Sequence, residues 1–175
     1  TEYILTGETA GLSKEVLIRV YEDFPGVAVF KVKYTNSGDK DLEIEGWTNN
    51  HYQIEVQPGA APEPAFWSFN SGSYEDRADW VLPLKKGFKK ENYMGMNASD
   101  YGGGTPVVDI WRRDVGLGVG HLELVPKLVS LPVSMPDSLH ADLAVMYQGK
   151  QVLKPGESST GTFKTFVMVH NRDYF

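Results

Sequence analysis

Apolar residues in this chain recur with a period of two, and no window repeats them at i, i+3, i+4 and i+7 over three turns. A period of two puts alternate side chains on opposite faces of a strand, so the chain is confined to sheet architectures. Val16, Ile18 and Val20 alternate with Leu17, Arg19 and Tyr21, and Val27 to Tyr34 repeats the pattern. Asn36-Ser37-Gly38-Asp39 reads as a turn before Leu42, Ile44 and Gly46. His51 to Gln57 sets Tyr52, Ile54 and Val56 on one side. Val107–Trp111, Leu117–Val125, Leu128–Val133, Leu139–Tyr147 and Gly161–Val169 read as further strands, with tight turns expected at Gln148-Gly149-Lys150 and Lys154-Pro155-Gly156-Glu157. Short strands punctuated in this way predict an all-β fold, an antiparallel sandwich with almost no helix.

The 175 residues fit one domain, residues 1–175, with enough chain to bury a core. A net charge of −6 argues against nucleic acid as a partner, because phosphate binding needs clustered cations. The densest basic patch, Lys85, Lys86, Lys89 and Lys90, reads as a solvated loop. No apolar run approaches the roughly 20 residues of a membrane-spanning helix, so no membrane partner and a soluble chain are expected. The chain has no cysteine, which excludes disulfides and thiolate metal sites and decides nothing about compartment, cytoplasmic or secreted. It opens on Thr1, as a piece of a longer polypeptide would.

Residues 58–105 break the pattern. They form a long loop region rich in Pro, Gly, Ser and aromatics, and a segment this long inside a domain is usually functional. Within it, Phe66 to Trp80 mixes aromatic platforms with Asn70, Glu75, Asp76, Arg77 and Asp79, a combination that suits the apolar faces and hydroxyls of a sugar. For Trp67 and Trp80 the competing role is to anchor the loop on the sandwich or on a neighbouring domain. Gly102-Gly103-Gly104 lets another surface approach closely and leads through Pro106 into a strand, so it is not a phosphate loop.

Catalysis by this chain alone is poorly supported. His51, His121, His140 and His170 show no metal-ligand spacing, and no metal or cofactor is expected. Three of the four read as structural sheet histidines. His121 and Glu123 share a strand face, which suits a structural pair as well as an acid–base pair in mutarotase-like chemistry. Asp109 and Asp114 flank Arg112 and Arg113, and a surface ion pair is the expected arrangement there.

The runs Phe66–Trp80, Gly95–Gly104, Pro106–Trp111 and Gly118–Glu123 resemble the N-terminal domain of α-galactosidases (melibiases) of glycoside hydrolase family 36, over about residues 45–170. The resemblance implies a β-supersandwich of the galactose mutarotase-like kind. In the family this domain precedes a (β/α)8 barrel, which carries two catalytic aspartates for a retaining hydrolysis. This chain lacks the alternating strand–helix pattern of a barrel, so no residue here takes a catalytic role. What the resemblance implies is a non-catalytic domain that docks on the missing barrel of the same polypeptide and helps to shape a galactoside pocket or subunit contacts. Asp79 and Trp80, then Arg77 and Trp67, are the sugar-pocket or domain-interface candidates, and Asp100, Gly102, Gly103 and Gly104 form the barrel-facing loop. An autonomous carbohydrate-binding module and a purely structural, homo-oligomerising domain are the alternatives.

Overall fold

The computed structural model describes residues 1–55, 66–69, 81–94, 106–112, 115–123, 129–159 and 163–171. Twelve strands occur among them: β1 (Glu2–Thr9), β2 (Leu12–Val20), β3 (Val27–Asn36), β4 (Leu42–Glu55), β5 (Phe66–Phe69), β6 (Val81–Leu84), β7 (Phe88–Met94), β8 (Val107–Trp111), β9 (Val115–His121), β10 (Val129–Met135), β11 (His140–Leu153) and β12 (Phe163–Asn171). No helix is found in these residues. Eight strands form one sheet in the order β1-β2-β3-β12-β9-β8-β5-β6, and four form a second in the order β4-β11-β10-β7. Every pairing is antiparallel. The all-β sandwich expected from the alternation is therefore the observed architecture.

Strand β10 shows how the alternation makes the core: Val129, Leu131, Val133 and Met135 are buried, while the residues between them are only partly so. They face Phe66, Leu84, Val108, Ile110 and Val119 from the larger sheet, and Leu143 and Val145 of β11 complete the layer. At about 25 cal/mol per Å² of apolar surface removed from water, this layer is the main source of cohesion. The Trp47 and Tyr147 rings close one end, with centroids 5.9 Å apart.

Two bulges shape the smaller sheet. Between the pairs Asn49↔Val145 and Tyr52↔Leu143, β4 takes three steps against two on β11. Asn50 lies in that bulge with φ at +48°, a conformation asparagine tolerates better than most residues. Its side chain donates to Tyr52 Oη and accepts from Thr165 Oγ1, tying the edge of the smaller sheet to β12. The second bulge falls at Gln148-Gly149-Lys150, where a tight turn was expected. The strand instead runs through to Leu153, pairing with β4 beyond the bulge, and residue 149 is glycine because the Tyr147 ring occupies the space its Cβ would need. The turn at 155–156 forms as expected.

Of the expected 58–105 loop region, the described residues form β5, β6 and β7. The closest approaches between sheets join β11 to β8 and β9, β4 to β12, and β10 to β8. The eight-stranded sheet outruns its partner, and all of β1 is exposed.

Candidate functional site

Trp67 is the one sequence-predicted site residue among those described. Asp79, Trp80, Arg77, Asp100, Gly102, Gly103 and Gly104 lie outside the described residues, as do Arg113 and Asp114. Alternation along β5 turns Phe66 and Ser68 inward, where both are buried, and turns Trp67 and Phe69 to the outer face of the larger sheet, half-buried. Trp67 stands opposite Pro83 on β6 and Trp111 on β8, and Phe69 stands opposite Val81 and Asp109. Ser68 Oγ donates to the Asp109 carbonyl at 2.7 Å, which pins β5 to β8.

Register also aligns the strand ends. Phe69, Val81 and Val107 share one end of the β6–β5–β8 group. Phe69 and Val81 thus stand at the end of the sheet where β8 begins.

Beside the tryptophans lies a buried acid–base pair that sequence reasoning missed. His170 Nε2 on β12 is 2.7 Å from Asp109 Oδ2 on β8, and both side chains are nearly buried. The strand between them, β9, carries Gly116, Gly118 and Gly120 on the shared face. A Cβ at residue 116 would collide with the His170 ring, and one at residue 118 would come within 2.8 Å of Met168. The missing side chains thus open a channel across which β12 reaches β8. Alternating glycines within a strand were the available signal, since such a strand lends one face to its neighbours.

Burial pushes the Asp109 carboxyl above the usual carboxylate range, and the attraction and hydrogen bond of His170 pull against that rise. Oδ1 of Asp109 is buried with no hydrogen-bond partner among the described residues. The surface position expected for Asp109 is therefore corrected: alternation turns it into a covered face, where His170 is a partner. His121, on the core side of β9, has its pKa lowered by burial, with Glu123 opposing. The Glu123 N–H donates to His121 Nδ1 at 3.4 Å, and its carboxylate accepts from the Lys164 N–H at 3.1 Å, so the pair ends a strand. Among the described residues no group of three or more His, Asp or Glu side chains is placed to hold a metal ion.

No family model and no curated protein matches the sequence. Solved structures do match. The GH36 α-galactosidase AgaA from Geobacillus stearothermophilus superposes with a TM-score of 0.68 at 16% identity, over 98% of this chain and 24% of that one. The fold is that of part of a GH36 α-galactosidase. The Lactobacillus brevis α-galactosidase agrees, with a TM-score of 0.67 at 12% identity over 98% of this chain and 26% of its own. So does the galactosidase domain of the α-galactosidase–sucrose kinase AgaSK, at 0.69 and 15% over 98% and 24%. The chain spans about a quarter of the length of the enzymes it matches.

Proposed function

We propose that this chain is the N-terminal, non-catalytic domain of an α-galactosidase-like glycosidase, docking on a (β/α)8 barrel of the same polypeptide and helping to shape its galactoside pocket or subunit contacts. The observation that carries the reading is coverage: 98% of this chain matches one quarter of a GH36 α-galactosidase. The barrel would supply both carboxylates of a retaining hydrolysis, and the sandwich would supply walls. Phe69, Val81 and Val107 share one end of β5, β6 and β8, and the reading assigns Asp79, Trp80 and Arg77 to the same surface as Asp100 and Gly102–Gly104. Trp67 and Trp111, opposite one another on the face leading to that end, would brace it.

The test is titration calorimetry of the chain with galactose, melibiose and raffinose, run beside a p-nitrophenyl α-galactoside turnover assay. The docking reading expects neither binding nor turnover. Millimolar or tighter binding without turnover would favour an autonomous carbohydrate-binding module, for which the half-buried indole of Trp67 offers a platform. Turnover above background would overturn both.

A further inference from the structure

The outermost strand of the larger sheet, β1, pairs with β2 on one side and with no described strand on the other. Exposed edges are normally blunted by proline, charged side chains (lysine above all), a bulge or a covering element. Strand β1, Glu2-Tyr3-Ile4-Leu5-Thr6-Gly7-Glu8-Thr9, has neither proline nor lysine, carries its two charges, Glu2 and Glu8, near its ends, and pairs with β2 without a register shift. Tyr3, Ile4 and Leu5 are 55%, 64% and 57% exposed, so the edge is apolar on both faces at its centre.

The hydrogen-bond parity of the edge is set by the first pair. Thr1 and Val20 exchange both backbone bonds at 2.9 Å. Odd residues of β1 therefore turn their N–H and C=O toward β2, and Glu2, Ile4, Thr6 and Glu8 turn theirs off the edge. We propose that this free edge pairs antiparallel with β1 of a second copy of the chain, about a two-fold axis that sets Ile4 opposite Ile4.

That register is the self-complementary one. It keeps like faces together, stacks Ile4 on Ile4 on one face, and sets Tyr3 against Leu5 twice on the other. Glu2 meets Thr6, and Glu8 meets neither Glu2 nor Glu8. Centring on Leu5 would set Glu2 against Glu8 twice, and centring on Tyr3 would put Ile4 against Glu2. In the Ile4-centred register the groups at Glu2, Ile4 and Thr6 all find partners across the axis. Five paired residues per copy bury less than the roughly 1,600 Å² of a standard interface, so dissociation in the range of about 10–100 µM is expected. This proposal does not depend on the galactosidase reading.

The chain has no cysteine, so single cysteines report the register cleanly. Opposed Ile4 positions would have Cα atoms about 5.5 Å apart, within disulfide range, whereas residue 8 would lie roughly 25 Å from its counterpart. Sedimentation equilibrium should show a monomer–dimer equilibrium, and mild oxidation should link Ile4→Cys at least tenfold faster than Glu8→Cys. Ile4→Lys and Thr6→Pro should each abolish the dimer. The Thr6 N–H points off the edge, so the proline removes no bond to β2. Near-ultraviolet circular dichroism would verify that both variants remain folded. A monomer up to about 200 µM, equal linking of the two cysteines, or a dimer that survives both edge variants while folded would overturn the proposal.

Discussion

Replacing His170 with alanine removes the partner of a buried carboxylate. The side chains of Asp109 and His170 are 12% and 13% exposed, and Oδ1 of Asp109 has no other described partner. Taking one member out of a buried pair costs about 3–5 kcal/mol, because the remaining charge stays desolvated. For a domain of this size that lowers Tm by about 6–20 °C. The loss should depend on pH. Burial already raises the Asp109 carboxyl, and without His170 only the Ile110 backbone N–H opposes the rise. A raised carboxylate pKa means that the folded state holds its proton longer than the unfolded chain does. Stability then falls as pH climbs from the ordinary value of about 3.9 through the folded one, and levels off above it. Urea unfolding of wild type and His170→Ala at pH 5 and pH 8 should therefore show the larger deficit at pH 8. Adding Asp109→Asn should recover part of it there. A deficit below about 1 kcal/mol that is equal at both pH values, with no recovery from Asp109→Asn, would refute the reasoning.

Three more outcomes follow from the same structure. Gly116→Ala should cost about 1–3 kcal/mol in urea unfolding by displacing the His170 ring, and its cost should not add fully to that of His170→Ala. Asn36 is buried, donating to the Lys40 and Leu153 carbonyls at 2.7 and 2.8 Å and accepting from the Gly38 N–H, so Asn36→Ala should lower stability by about 2–3 kcal/mol and Tm by about 4–12 °C in calorimetry. Asp137 accepts from the Leu139 and His140 N–H groups and bonds the His140 ring, which lowers its own pKa and raises that of His140. The Asp137 contribution is present above about pH 3.9 and lost as pH falls through its lowered value, while that of His140 is whole below about pH 6.5 and lost as pH rises through its raised value. The deficit of Asp137→Asn in thermal melts should therefore be widest between about pH 4 and 6.5 and narrow on the alkaline side.

Legibility in the sequence follows from how local each determinant is. Val129-Ser130-Leu131-Pro132-Val133-Ser134-Met135 announces a half-buried strand because adjacent residues alone set its faces, and β10 forms there. The alternation read from Val16 onward missed β1, whose Tyr3, Ile4 and Leu5 enter no core in this chain and so leave no buried-face pattern. Gln148-Gly149-Lys150 has the composition of a turn, yet its glycine makes room for a ring in the same strand, a packing fact that composition does not carry. The Asp109–His170 contact joins residues 61 apart across an intervening strand, and only the alternating glycines of β9 hinted at it. Aromatic neighbours flagged Trp67 as part of a loop region, whereas the fold sets it half-buried on β5. Its sheet face depends on pairing with β6 and β8, which became visible only in the fold.

The central claim is that this sandwich serves a catalytic barrel on the same polypeptide. The direct measurement is α-galactoside hydrolysis by residues 1–175 beside the product of the same reading frame carried to its stop codon, each assayed with p-nitrophenyl α-galactoside. The account predicts that the longer product contains a (β/α)8 segment and turns over substrate while residues 1–175 do not. A reading frame without a barrel, or turnover by residues 1–175 alone, would contradict it.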